Sequence, residues 1–234
     1  MRKKLDISAY FVIGPENAEG KDLVKMIGDV IEVGYTCIQI RSKVASAKEL
    51  IELTKITAEE IKRLGKSDEV ALLVNDRLDV VLAARDAGIK VDGIHVGQDD
   101  IPVGVCRKYL GEEAIVGLTA SKRDLFEYIK NTDIKDIDYF GVGPLHETAT
   151  KPDCGLGDDG KIITRTYDEI KELAKTSSIP IVIGGGVKLE DIPELSKTGI
   201  GGFFVVSAIS NADDPKQAAK DLIDAWNENR VGLL

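Results

Sequence analysis

The sequence predicts a single closed (β/α)8 barrel. Three observations carry that expectation: eight short apolar runs, helix-like spacing between them, and a length of 234 residues with no composition break that would mark a linker. One α/β barrel needs a chain of about this length. Runs that are continuously apolar or nearly so, rather than apolar at alternate positions, suit strands covered on both faces. Strand and helix in strict alternation give a parallel sheet with right-handed crossovers. Eight such units in a chain this short favour closure over an open sheet.

The strands are expected, in order, at AYFVIG (9–14), CIQI (37–40), ALLV (71–74), GIHV (93–96), AIVGL (114–118), YFGV (139–142), PIVIG (180–184) and GFFVV (202–206). Helix-like stretches lie between them, among them DLVKMIGDVIEVG, SAKELIELTKITAEEIKRLG, RLDVVLAARDAG, DLFEYIKN, YDEIKELAKT, LEDIPELSKTG and, at the end, PKQAAKDLIDAWNEN. Their apolar residues recur at three and four positions, as at Leu50, Leu53 and Ile61, which is the period of a helix with one buried face. Gly34, Gly65, Gly88, Gly111 and Gly199 stand where helices should close with a left-handed cap. The longest irregular segment, 143–166, falls between the sixth strand and the sixth helix. A loop that long inside a compact domain is expected to carry function.

Composition narrows the partners. The net charge of -9 disfavours nucleic acid and acidic membrane surfaces, since neither polyanion is drawn by the field of the whole protein. No run approaches the roughly 18 apolar residues of a membrane span, and the start, MRKKLDISAY, lacks the apolar stretch of a secretory signal. Cys37, Cys106 and Cys154 form no CxxC pair. A disulfide framework and a thiolate zinc site are therefore not expected, and the setting reads as a reducing cytoplasm. A homo-oligomer is left open.

Active sites of such barrels are assembled at the C-terminal strand ends, and these ends are unusually polar here. The second strand runs out in QIRSK, with Gln39, Arg41 and Lys43 at alternate positions and hence on one face. Two cations there suit a polyanion such as pyrophosphate. Asn75 and Asp76 follow the third strand, Asp99 and Asp100 the fourth. Each acidic residue could simply cap a helix, with Pro102 in the first turn after Asp100. Together they form the hard-oxygen set that holds Mg²⁺ through one or two carboxylates plus substrate phosphates and water. Thr119 offers a hydroxyl after the fifth strand, a ready anion contact at a helix start. Thr148, Thr150 and Lys151 put two hydroxyls and an ammonium on the long loop, a combination that grips an anion. Gly184, Gly185 and Gly186, with the backbone near Ser207 at the start of the last helix, resemble the phosphate site that barrels build after strands seven and eight. His95 sits inside a strand run and reads as structural. His146 lies on the long loop with no orienting partner visible. No nucleophile elbow, Walker loop or dinucleotide fingerprint is present.

Taken in order, QIRSK, VNDRLD, GIHVGQDD, VGLTA, DYFGVGPLHETATK, PIVIGGGV and GGFFVVSAIS resemble the motif series of the thiamine-phosphate synthase family, from about residue 10 to residue 210. The resemblance implies a barrel that joins a hydroxymethylpyrimidine diphosphate to a thiazole phosphate and releases pyrophosphate. It implies that Gln39 and Asn75 bind the aminopyrimidine and that Arg41, Lys43 and Lys151 hold the diphosphate. Asp76 and Asp100 would bind Mg²⁺, with Thr119 where the family usually has Ser. Thr148, Thr150, Gly186, Val206 and Ser207 would receive the thiazole phosphate. The implied route is dissociative, with pyrophosphate leaving before the thiazole nitrogen captures a pyrimidine methyl cation, and no residue is read as a general acid or base. Gly184 and Val187 stand where the family has Ile, and His146 where an apolar residue is expected. A thiazole tautomerase-like isomerase and a non-catalytic thiazole-phosphate binder are the alternatives.

Overall fold

The computed structural model describes residues 5–18, 20–121, 124–148 and 162–230. Parallel strands β1 (Ala9–Ile13), β2 (Cys37–Ile40), β3 (Ala71–Asn75), β4 (Gly93–Val96), β5 (Ile115–Ala120), β6 (Tyr139–Val142), β7 (Ile181–Ile183) and β8 (Gly202–Val205) follow one another around a closed barrel. Pairing of β1 with β8 completes the ring. Each strand expected from the sequence is present, with its ends moved by at most two residues.

The crossovers are α1 (Leu23–Glu32), α2 (Ala47–Arg63), α3 (Leu78–Asp86), α4 (Val103–Leu110), α5 (Leu125–Asn131), α6 (Tyr167–Thr176) and α7 (Ile192–Leu195). Local chemistry starts several of them: Ser46 and Glu49 form a capping box on α2, and Thr166 and Glu169 form one on α6. Each box satisfies backbone N–H groups that the first helical turn leaves unpaired. After β8 the chain departs from expectation. Ser207 opens a four-residue helix, α8 (Ser207–Ser210), and the last helix, α9 (Pro215–Arg230), begins separately.

The pleat sorts each strand into two layers. Outward residues such as Phe11, Ile38, Leu72, Ile94, Val116, Phe140, Ile183 and Phe203 pack under the helices in one continuous core. Burying Ile27, Val30 and Ile31 on α1 against it stabilises by about 2 kcal/mol per side chain. Trp226 of α9 lies against Phe203, with ring centroids 5.3 Å apart. Inward residues Tyr10, Val12, Cys37, Ala71, Leu73, Ile115, Tyr139 and Val182 form a second core inside the barrel. Glycines on the inner face leave room for its rings. A Cβ on Gly117 would stand 2.3 Å from Tyr139 Cζ and 2.5 Å from His95 Nδ1.

The N-terminal end of the barrel is tied by aspartates placed just before strands. Asp92 accepts the Leu72 N–H at 2.7 Å, and Asp138 accepts that of Val116 at 2.7 Å. Asp138 also takes the buried Arg107 guanidinium at 2.7 Å. These pairs hold the stable end, leaving the opposite strand ends for chemistry.

Candidate active site

The C-terminal mouth opens into a cavity of about 930 Å³, open solvent at the mouth included. Gln39, Arg41, Asn75, Thr119, Thr148, Gly186, Val206 and Ser207, eight residues expected at the site from sequence, line it together. Lys43, Asp76 and Asp100 stand outside this lining. Thr150 and Lys151 lie outside the described residues.

Gln39 and Arg41 reach the cavity from the end of β2, and Gln39 is only 4% exposed. Among the described residues the Arg41 side chain has no carboxylate partner, so its charge is available to a ligand. Lys43 does not continue the alternation. β2 has ended at Ile40, and the Lys43 ammonium, 57% exposed, turns across to the Asp76 carboxylate at 2.6 Å.

Neither Asp76 nor Asp100 caps a helix. The residue before α3 is Arg77, with no side-chain cap, and the one before α4 is Pro102, likewise uncapped. Asp76 sits in the left-handed region at φ +59°, its N–H donating to His95 O at 2.8 Å and its carboxylate taking the Asn75 Nδ2 at 2.6 Å. That conformation is uncommon for any residue with a Cβ and is best tolerated by Asp and Asn. Asp100 folds back on its own loop and accepts the Gly97 N–H at 2.8 Å. A Cβ on residue 97 would come 2.6 Å from that same carboxylate oxygen.

Backbone supplies the opposite wall. Gly185 and Gly186 both have positive φ, +77° and +73°, which glycine adopts without steric cost. Side chains there would strike Pro144 and His146, because a Cβ at Gly185 meets Pro144 Cβ at 2.7 Å and one at Gly186 meets His146 O at 2.8 Å. Leu145 and His146 donate their N–H groups to Gly185 O at 2.9 and 3.0 Å, holding the long loop's first turn against this wall.

His95, which the sequence reads as structural, has partners on two neighbouring strands. It points inward one residue before the end of β4, lines the cavity, and bonds Thr119 Oγ1 through Nε2 and the Tyr139 hydroxyl through Nδ1, each at 2.9 Å. Tyr10, Tyr139 and Phe204 were missed, since inside an apolar run an inward aromatic looks like core. Tyr10 and Phe204 line the cavity, and Tyr139 meets it through His95. Burial pushes the Tyr10 and Tyr139 hydroxyls well above the ordinary phenol value, which keeps both protonated.

The sequence profile described as thiamine monophosphate synthase matches residues 9–209. The chain belongs to the thiamine-phosphate synthase family. A thiamine-phosphate synthase of Corynebacterium efficiens is 38% identical over 233 residues, spanning 98% of this chain and 100% of the relative. One from Syntrophomonas wolfei is 34% identical, spanning 96% and 98%. Among solved structures, a thiamine phosphate pyrophosphorylase of Pyrococcus furiosus superposes with a TM-score of 0.77 at 25% identity, over 96% of this chain and 97% of that one. A 3-hexulose-6-phosphate synthase, at TM-score 0.62 and 17% identity, shares the barrel alone.

Two departures from the usual synthase pattern acquire a physical account. A Cβ at Gly184 would lie 2.1 Å from Phe204 Cε2, so the Phe204 ring fills the space that a larger residue at 184 would need. His146 has a partner after all: its Nε2 lies 2.9 and 3.0 Å from the two carboxylate oxygens of Asp191. Asp191 also accepts the Tyr167 hydroxyl at 2.6 Å and the Lys188 N–H at 2.8 Å. Burial would raise this carboxyl, but those hydrogen bonds prevail and hold it below the usual aspartate value. No sequence spacing announces a bond between residues 45 positions apart.

Proposed function

We propose that this thiamine-phosphate synthase family member, a transferase, condenses an aminopyrimidine diphosphate with a thiazole phosphate in this cavity, giving thiamine phosphate and pyrophosphate by a dissociative substitution. The observation that carries the reading is that a guanidinium without a carboxylate partner among the described residues, Arg41, shares one cavity with two amide side chains, Gln39 and Asn75, and with the glycine wall at Gly185 and Gly186. Amides suit a polar heterocycle, a guanidinium suits a departing diphosphate, and exposed backbone N–H groups suit a second phosphate.

Mg²⁺ would be held by Asp76 and Asp100, carboxylates at adjacent strand ends whose hard oxygens suit that ion by their chemistry. In this structure Asp76 takes Lys43 and Asn75 and Asp100 takes the Gly97 N–H, and the described residues contain no cluster of three or more His, Cys, Asp and Glu side chains able to hold a metal. Two carboxylates completed by phosphate and water are what a magnesium site of this kind requires. When bound, such an ion supplies charge neutralisation on the diphosphate oxygens.

Arg41, Lys43 and Lys151 would hold the diphosphate and stabilise the charge that grows as it leaves, an interaction stronger in the transition state than before it. Thr119 would donate its hydroxyl to the same anion. Gln39 and Asn75 would orient the pyrimidine; Thr148, Thr150, Gly186, Val206 and Ser207 would seat the thiazole phosphate. Holding both partners in one cavity makes capture of the methyl cation effectively intramolecular. A protein nucleophile is not needed. Burial raises the Cys37 thiol well above its usual value, and that of Cys106 to about 11, so both stay protonated. Free thiols at both positions suit a reducing cytoplasm. No helix among the described residues is long and apolar enough to cross a membrane.

The test is pyrophosphate release by purified protein given both substrates, with Mg²⁺ and after chelation. Release that needs Mg²⁺ and the thiazole partner supports the synthase. Tight thiazole-phosphate binding without release would favour a non-catalytic binder, and metal-independent isomerisation of a thiazole phosphate would favour a tautomerase.

A further inference from the structure

Beneath the cavity runs a continuous line of hydrogen bonds through residues far apart in sequence. Gln39 donates its Nε2 to the Tyr10 hydroxyl. The Tyr10 and Tyr139 hydroxyls lie 2.9 Å apart, Tyr139 meets His95 Nδ1 at 2.9 Å, and His95 Nε2 meets Thr119 Oγ1 at 2.9 Å. Both ends of the line, Gln39 and Thr119, face the cavity.

Its direction follows from the need of buried hydroxyls for acceptors. Tyr10 and Tyr139 are at most 1% exposed, and each has one proton to place. Gln39 already directs an N–H at the Tyr10 oxygen, so the Tyr10 proton must go onward. The Cys37 sulfur beside it is a weak acceptor, and the Tyr139 oxygen is a good one. The Tyr139 proton then goes to His95 Nδ1, which leaves the imidazole proton on Nε2, facing Thr119. Thr119 accepts that proton and is left with its own hydroxyl proton to donate into the cavity. At the other end Gln39 spends one of its two amide N–H groups on Tyr10, which fixes how that amide is turned. Asn75 is fixed likewise by one N–H of its Nδ2 going to Asp76, and among the described residues neither amide's carbonyl oxygen accepts a hydrogen bond.

We infer that the line Tyr10, Tyr139 and His95 sets the polarity of the pocket, making it accept a ring that bears an amino group and reject the corresponding oxo ring. The inference rests on the reading that the cavity takes a pyrimidine diphosphate. An amino group would offer its two protons to the carbonyls that this orientation of Gln39 and Asn75 leaves uncommitted. An oxo group in its place offers none. To meet it, Gln39 would have to turn its amide, and every hydroxyl in the line would have to reverse. Thr119 would then spend its proton on His95 and turn a lone pair toward the diphosphate. A mismatch at the amine therefore weakens the grip on the leaving group as well. Tyr10 and Tyr139 act here as positioning residues.

The test compares wild type with Tyr139→Phe and Tyr10→Phe, each keeping the ring. For each protein kcat/KM is measured on the aminopyrimidine diphosphate and on its oxo analogue, with thiazole phosphate saturating. Intrinsic reactivity differs between the two pyrimidines but cancels when one protein's preference is divided by another's. Sites built to hydrogen-bond a substrate group reject the analogue lacking it by about 10⁴- to 10⁵-fold. Each phenylalanine is expected to cut the amino preference at least tenfold while leaving KM for the thiazole phosphate within twofold. Preference unchanged within twofold in both variants, with wild type active, overturns the relay alone. Wild type that fails to turn over the aminopyrimidine overturns the functional reading and the relay with it. A second measurement needs no folded variant. The chain has two histidines, and ¹⁵N NMR of the full wild-type protein, assigned with His146→Gln, should find neutral His95 carrying its proton on Nε2. A proton on Nδ1 overturns the proposal.

Discussion

Asp76 is where backbone strain and proposed chemistry meet, and three substitutions separate them. The residue holds φ +59°, a conformation that costs an ordinary L-residue roughly 1–2 kcal/mol but is eased for Asp and Asn, whose short polar side chains bond locally. Its pair with Lys43 adds only a few tenths of a kcal/mol, because that ammonium is 57% exposed. Asp76→Asn should therefore fold with almost wild-type stability, Asp76→Gly should be no less stable, and Asp76→Ala should lose about 1 kcal/mol. In a domain of this size that loss lowers Tm by roughly 2–4 °C. Activity should follow a different order. All three variants lose the carboxylate proposed to hold the metal, and removing one preorganised transition-state contact costs about 3 kcal/mol, or about a hundredfold in rate. Pyrophosphate release at saturating substrates and a thermal scan of the same samples read the two effects separately. An Asn variant within twofold of wild-type turnover would refute the ligand role. Equal melting temperatures for the Gly and Ala variants would refute the strain argument.

Two more perturbations probe the barrel interior and the base of the long loop. Gly117→Ala places a methyl between the Tyr139 and His95 rings, at the 2.3 and 2.5 Å separations already given. Overpacking of this kind costs about 1–3 kcal/mol, so calorimetry should show Tm several degrees lower, and an unchanged Tm would mean that the rings do not pack there. Asp191 is held below the ordinary aspartate value in the folded chain, so the unfolded chain binds its proton more readily. Its contribution is present above about pH 4 and is lost as pH falls through the lower folded value. Asp191→Asn should flatten the acid limb of a plot of Tm against pH, whereas superimposable acid limbs for the two proteins would show that the carboxylate is not stabilised by His146 and Tyr167.

Much of the fold was legible because its signals are local. CIQI, GIHV and YFGV coincide with β2, β4 and β6 at both ends, since a short, nearly continuous apolar run is a property of the strand itself, even where Gln39 or His95 interrupts it. The glycines chosen as helix ends at 34, 65, 88, 111 and 199 all have positive φ. Of the polar strand-end residues that suggested a site, Gln39, Arg41, Asn75, Thr119 and Ser207 line one cavity, whereas Lys43, Asp76 and Asp100 stand outside its lining. Lys43 shows the limit of period-two reasoning, because alternation lasts only as long as the strand. The reading of Asp76 and Asp100 as possible caps failed for a similar reason: each helix start lies beyond them, so their carboxylates are used across the loops instead.

From the sequence alone came the eight-fold alternation, the closed parallel sheet and the polar residues around its rim, all written in neighbouring positions along the chain. Tertiary structure decided what lies beneath them. That Tyr10 meets Tyr139 across 129 positions, that His95 bridges Tyr139 and Thr119, and that His146 finds Asp191 depend on which inward residues share a layer once the ring closes. Pleating determines whether a side chain points inward. Only the register of strands brought together from opposite ends of the chain determines what it meets there.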